Sequence, residues 1–190
     1  MNIILASGSP RRKELLAQAG FDFEVEVSNA DENVAEESPT EMVEELAARK
    51  AEAVVNLHNK KEDNCLIIGA DTIVVLDGKI LGKPADEADA KAMLASLSGR
   101  THQVYTGVAL FSLKEGIIEK KTTFHECTDV TMVSMTEKEI ADRTEPILGG
   151  AELTMLYGIP YGVNVVSLFA SYRDEEDRVP VLLRTPSEGL

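Results

Sequence analysis

Two periods of apolar and polar positions run along this chain. Residues 2–6 are a short apolar run, followed by Ser7-Gly8-Ser9 and then Pro10, the pattern of a buried strand feeding a helix with Ser9 as N-cap and Pro10 in the first turn. Gly20 closes that helix, and residues 21–27 alternate apolar and acidic side chains, which predicts a half-buried strand. Ser38 and Glu41 have capping-box spacing around Pro39 and open a second helix that runs to about Leu57, with Met42, Val43, Leu46, Ala53, Val54 and Leu57 as its apolar stripe. Residues 65–76 are almost wholly apolar and β-branched apart from Asp71 and Thr72, which suggests a strand covered on both faces, and Asp77-Gly78 turns it into residues 79–81. A third helix is predicted over residues 86–97, two long strands over 101–113 and 117–133, and a fourth helix from the capping box of Thr136 and Glu139. Beyond Glu145 the period is lost; residues 164–172 are compatible with a strand and the last fifteen with a tail. Helices and strands that alternate before a hairpin predict an α/β fold with a mixed sheet.

With 190 residues, 44% of them hydrophobic, the chain has room for one substantial core, so residues 1–190 are expected to form a single domain. A formal charge of −14 argues against broad electrostatic binding of nucleic acid or an anionic membrane, so no nucleic-acid and no membrane partner is expected. Any anionic ligand has to be gripped locally. Cys65 and Cys127 lie far apart and read as reduced core residues, and no leader or membrane span is apparent, so the expected location is cytoplasmic.

Three constellations carry candidate chemistry. In Ser7-Gly8-Ser9-Pro10-Arg11-Arg12, free backbone amides, two hydroxyls and two guanidinium groups converge at a helix N-terminus, which is how proteins bind phosphate. The alternative is that the arginines pair with surface acids. Lys50 falls near the centre of the second helix's apolar stripe, with Arg49 toward its edge; a lysine there either snorkels outward or points into a site that keeps its charge paired. Asp71, beside Thr72 in a very apolar strand, needs a metal ion, a cationic side chain or a proton; it is either a catalytic carboxylate or the partner of Lys83 in a structural ion pair. P-loop and dinucleotide-fold glycine motifs are missing, and His58, His102 and His125 have no metal-ligand spacing, so each reads as structural or surface.

Residues 7–16, Ser-Gly-Ser-Pro-Arg-Arg-Lys-Glu-Leu-Leu, look like the S-x-S-P-R-R-x-E-L-L signature of the Maf family. Gly69-Ala70-Asp71-Thr72-Ile73-Val74, Leu81-Gly82-Lys83-Pro84 and residues 97–108 resemble its later motifs in order and spacing, so the likeness covers roughly residues 2–145. The resemblance implies a mixed twisted sheet flanked by helices, in two lobes with a nucleotide cleft between them. It implies a nucleoside triphosphate pyrophosphatase that cleaves between the α- and β-phosphates with a divalent cation, Mg²⁺ or else Mn²⁺ or Co²⁺. Family roles carried onto this chain place Ser7, Ser9, Arg11 and Arg12 on the phosphates and substrate, Glu32 on metal or water, Lys50 and Lys83 on phosphate charge, and Asp71 as general base or metal ligand. The S-P-R-R and A-D-T combination resembles the branch that prefers dTTP and UTP, with Arg12 and Thr72 near the base, and a homodimer is the family's common state. The alternative function is a catalytically weak nucleotide-binding regulator linked to cell division. Residues 146–190 diverge from the family pattern, with no counterpart of its base-reading glutamine.

Overall fold

The computed structural model describes residues 2–27, 29–34, 38–58 and 64–148. Along these residues the elements run β1 (Asn2–Leu5), α1 (Pro10–Gln18), β2 (Glu24–Val25), α2 (Pro39–His58), β3 (Cys65–Leu76), β4 (Lys79–Leu81), α3 (Glu87–Leu97), β5 (Thr101–Lys114), β6 (Ile117–Thr131) and α4 (Glu137–Leu148). The strands form one six-stranded sheet in the order β2-β1-β3-β5-β6, with β4 also paired to β3. β1 runs parallel to β2 and β3, whereas the pairs β3–β4, β3–β5 and β5–β6 are antiparallel. The sheet is therefore mixed, as the sequence predicts. Both hairpins turn on two left-handed residues, Asp77-Gly78 and Glu115-Gly116, a geometry that follows the natural twist of the strands and needs glycine at its second position.

α2 lies directly against the middle of the sheet. A methyl group on Gly69 would lie 2.1 Å from the Ala47 carbonyl oxygen, and one on Gly107 would lie 2.2 Å from that of Val43. Helix backbone thus rests on strand backbone, with the small, fully buried Ala47 and Ala51 over Gly69. Around this contact Val54, Ile4, Ile67 and Phe111 complete the core on that face. On the opposite face Leu15 and Leu16 of α1 pack against Leu5, Ile68, Ala70 and Val108. Val74, Leu76, Leu97, Val104 and Met132 fill the far end of the sheet, beyond which α3 and α4 meet through Leu94 and Ile140.

One consequence of the register defines the site. β5 pairs β3 from Cys65 to Val75, so β1 and β4 share β3's other edge, β1 at residues 65–68 and β4 at residues 74–76. Between them, residues 69–73 have no strand on that edge among the described residues. Both β1 and the loop that leaves it end against this opening.

Three sequence expectations are corrected. Residues 21–27 do not make a half-buried strand: only Glu24 and Val25 pair, with Ile4 and Leu5, and Val25 and Val27 are exposed, because four-residue β1 offers them little edge. Leu57 is exposed rather than core; Val43, Leu46 and Val54 are buried as expected, and the buried stripe of α2 also takes in Ala47, Ala51, Val55 and His58, because the helix docks on glycines with its alanines. Cys127 is exposed on β6, while Cys65 is buried, and both are free thiols. Residues 149–190, including the expected strand at 164–172, lie outside the described residues. Because the α2 contact has no slack, Gly107→Ala is expected to cost about 3 kcal/mol of unfolding free energy, whereas Gly82→Ala, with nothing within 4 Å of the added methyl, stays within about 0.5 kcal/mol of the parent. Urea denaturation of both variants checks this.

Candidate active site at the open edge of β3

Asp71 pairs with Gly107 and Thr72 with Thr106 across β3 and β5. Neighbouring strand residues point to opposite faces. Asp71 accordingly meets α2, while Thr72 meets α1, and the site is built from two half-shells joined at the open strand edge.

On the α2 face, Lys50 Nζ donates to Asp71 Oδ1 at 2.5 Å and approaches Glu32 Oε1 at 3.1 Å. Glu32 Oε2 in turn accepts from Lys83 Nζ at 3.1 Å. The result is an alternating chain of charges, Asp71–Lys50–Glu32–Lys83, that runs from the interior to the surface. The Lys50 and Asp71 side chains are only 14% and 13% exposed, against 90% for Lys83. Lys50 therefore points into the site rather than snorkelling outward, and the partner of Asp71 is Lys50, not Lys83. The helical position of Lys50 follows from the glycine contact: one turn after Ala47 and just before Ala51, it is directed at the sheet where Asp71 emerges.

On the α1 face, Arg12 is 7% exposed and its guanidinium donates from Nη1 to Ser7 Oγ at 3.1 Å and from Nη2 to Thr72 Oγ1 at 3.2 Å. Thr72 and Thr106 hydroxyls lie 3.1 Å apart, so Thr106, to which the sequence assigned no role, extends this polar row. Ser9 stands at the N-cap position but its side chain makes no capping bond; its amide donates to Ser7 Oγ at 3.3 Å and its own hydroxyl is buried without a hydrogen bond among the described residues. Arg11 turns away, at 3.3 Å from Glu14 in an exposed pair, which is the surface-acid arrangement the sequence held open. The histidines are placed elsewhere: His102 is fully buried, with desolvation lowering its pKa, His58 bonds Glu26 at 2.9 Å, and His125 bonds Glu44.

The electrostatics drive the two carboxylates apart. Burial pushes the Asp71 carboxyl above the ordinary aspartate range; the charge and hydrogen bond of Lys50 pull it down less than burial raises it, Arg12 adds a smaller pull, and Glu32 pushes it up. Glu32 is held below the ordinary glutamate range, first by its bond to Lys83, against a raising contribution from burial, with Lys50 also lowering it. Two carboxylates that share one lysine thus have different proton affinities: Asp71 is the better acceptor and Glu32 the more firmly ionised. No group of three or more His, Cys, Asp and Glu side chains gathers as a metal cluster among the described residues. Asp71 and Glu32 nevertheless lie on either side of the Lys50 ammonium, and carboxylate oxygens are the donor type that suits Mg²⁺, an ion held by one or two carboxylates and completed by water and substrate phosphate.

One supporting residue was not legible beforehand. Arg49, at the edge of the α2 stripe, donates to the Asn33 carbonyl at 2.8 Å and is held by Glu45 at 2.7 Å.

A family model described as Maf-like protein matches residues 2–147. The chain is 53% identical over 139 residues to the dTTP/UTP pyrophosphatase of Bacillus mycoides (strain KBAB4), covering 73% of this chain and 68% of that protein. It is 54% identical over 138 residues to the dTTP/UTP pyrophosphatase of Bacillus cytotoxicus, covering 72% and 68%. Among solved structures, the Staphylococcus aureus Ham1 protein superposes with a TM-score of 0.46 at 16% identity, over 69% of this chain and 71% of that one. No helix among the described residues is long and apolar enough to cross a membrane.

The shared lysine makes opposite demands that can be measured. In Lys50→Met the two influences of Lys50 that lower the Asp71 pKa are lost, so its carboxyl titrates at higher pH than in the parent; in Glu32→Gln a raising influence is lost, so it titrates lower. Carboxyl ¹³C shifts followed against pH report both midpoints, and movement in the same direction would contradict this arrangement.

Proposed function

The chain belongs to the Maf-like protein family, and from that premise we propose that it is a nucleoside triphosphate pyrophosphatase that hydrolyses dTTP, UTP or related nucleotides to the monophosphate and pyrophosphate. The observation that carries the reading is the charge chain Asp71–Lys50–Glu32–Lys83 set at the open edge of β3, across from the buried Arg12 guanidinium. Anionic substrate meets cations there, and a carboxylate of raised proton affinity stands beside them.

In the reaction, a water molecule attacks phosphorus and gives its proton to Asp71, while the bond between the α- and β-phosphates breaks and its electron pair leaves with pyrophosphate. Lys50 holds the Asp71 carboxylate in place and keeps positive charge next to the phosphoryl oxygens. Lys83, exposed and tied only to Glu32 in the described contacts, reaches the phosphates from the solvent side. Ser7, Ser9 and the amides at the start of α1 receive phosphate oxygens, and Arg12 and Thr72, bonded to each other, stand near the base. Arg11 joins them only by leaving Glu14. A bound divalent cation, held by Asp71 and Glu32, would supply Lewis-acid neutralisation of phosphate charge. The intact base and lysines weigh against the weak regulator.

Pyrophosphate release from dTTP, UTP, CTP and GTP, with and without Mg²⁺ or Mn²⁺, tests the proposal. Turnover of dTTP and UTP is expected to exceed that of GTP, to stop with excess EDTA and to return with Mg²⁺. Asp71→Asn is expected to lower kcat about 1,000-fold; full activity in that variant would remove Asp71 from the chemistry, and nucleotide binding without turnover in the parent would sink the enzyme reading.

A further inference from the structure

We propose that Arg49 is a positioning residue that tethers the backbone on both sides of Glu32 to α2. Its Nη1 reaches the carbonyl oxygens of Asn33 at 2.8 Å and of Asp31 at 3.5 Å, so the guanidinium brackets Glu32. Its Nε is fixed by Glu45 at 2.7 Å, one helical turn earlier, which aims the fork before the loop meets it. Residues 31–33 belong to no helix or strand, and among the described residues they make no backbone-to-backbone hydrogen bond. The other bonds of this stretch are local: the Asp31 side chain accepts from the Asn33 amide at 3.0 Å and from its side chain at 2.8 Å. Glu32 itself is half exposed, and among the described residues its side chain meets the ammonium groups of Lys50 and Lys83. Arg49 is therefore the group that converts an Asx-turned loop into a fixed platform. It does so from the position next to Lys50, so one turn of α2 both carries the cation that Glu32 binds and sets the distance at which Glu32 stands. Lysine, with a compact ammonium, lacks the fork that meets Glu45 and the loop at once.

The inference rests on the placement of Glu32 in the proposed reaction site, and two measurements separate it from that reading. The first is hydrogen exchange of the amides of residues 31–33 in the metal-free, nucleotide-free protein, which reports the tether whatever the activity is. Arg49→Gln keeps helix propensity but is too short to reach the carbonyls, and it is expected to speed that exchange; Arg49→Ala serves if the glutamine finds a new bond. The second is a double-mutant cycle on pyrophosphate release with Glu32→Gln. Arg49→Gln alone is expected to lower kcat about 10- to 100-fold, the usual effect of removing a group that orients a reacting side chain, with KM for the nucleotide little changed and with partial recovery in Arg49→Lys. In the Glu32→Gln background the same substitution is expected to add nothing. Unchanged exchange at residues 31–33, or an equal loss in both backgrounds, overturns the proposal. If the parent releases no pyrophosphate, the functional reading fails and the exchange measurement alone decides the tether.

Discussion

The contact on which the rest depends is that of the α2 backbone with Gly69 and Gly107. A side chain at either position would drive the helix off the sheet, since even a methyl would stand about 2 Å from a carbonyl oxygen. With the helix this close, Lys50 can place its ammonium 2.5 Å from a carboxylate on the strand below. A helix held farther off by side chains at these two positions would leave that lysine free to bend toward solvent. The short approach therefore fixes the geometry of the Asp71–Lys50 pair and also sets the desolvation of Asp71, which Lys50 offsets only in part. Removing a charge from water inside a protein is costly unless a partner remains close, so the fold maintains the pair by holding two backbones together.

Much of this was legible in the sequence, and the reasons differ by element. Strands β3, β5 and β6 and helices α2 and α3 were readable because long apolar runs, turn residues and caps agreed: Asp86 accepts from the Asp89 amide, and Thr136 and Glu139 bond reciprocally. β2 was overread, since its alternation of apolar and acidic residues is genuine but only two of them find a partner strand. The α2 stripe was right at Val43, Leu46 and Val54 but missed Ala47 and Ala51 because large apolar residues were weighted over small ones, although the glycines that demand small helix residues, Gly69 and Gly107, were visible in the same motifs. Periodicity cannot show that two glycines on different strands will face one helix.

The site was legible as a set of residues but not as a geometry. Asp71 and Thr72 were read as one constellation, yet their adjacency on a strand sends them to opposite faces, one to Lys50 and one to Arg12. Arg11 and Arg12 looked equivalent; helical spacing turns Arg12 inward to Ser7 and Thr72 and leaves Arg11 with Glu14. Glu32 came from resemblance alone, because an acidic residue in an acidic loop carries no signal of its own. Arg49 had even less, as its partners are backbone carbonyls 16 and 18 residues away that no side-chain pattern encodes.

On the proposed function, the alternating order of charges ranks the contacts that would yield to a triphosphate. Without substrate the four groups satisfy one another, so bound phosphate has to replace a carboxylate as partner of some cation. The pair Lys83–Glu32 is solvent-exposed, and such pairs contribute about 0–1 kcal/mol; parting it costs little. Lys50 and Asp71 are mostly buried, and separating them would strand charge in a poorly hydrated place. In the proposed reaction Lys83 is thus the cation that leaves its carboxylate for the incoming phosphates, whereas Lys50 keeps its post. Release of Lys83 also frees Glu32 from the partner that most lowers its proton affinity, so the loop tied down by Arg49 has to hold in place a carboxylate that has just lost one of its two cations. A fixed backbone is what keeps that carboxylate from following Lys83 outward.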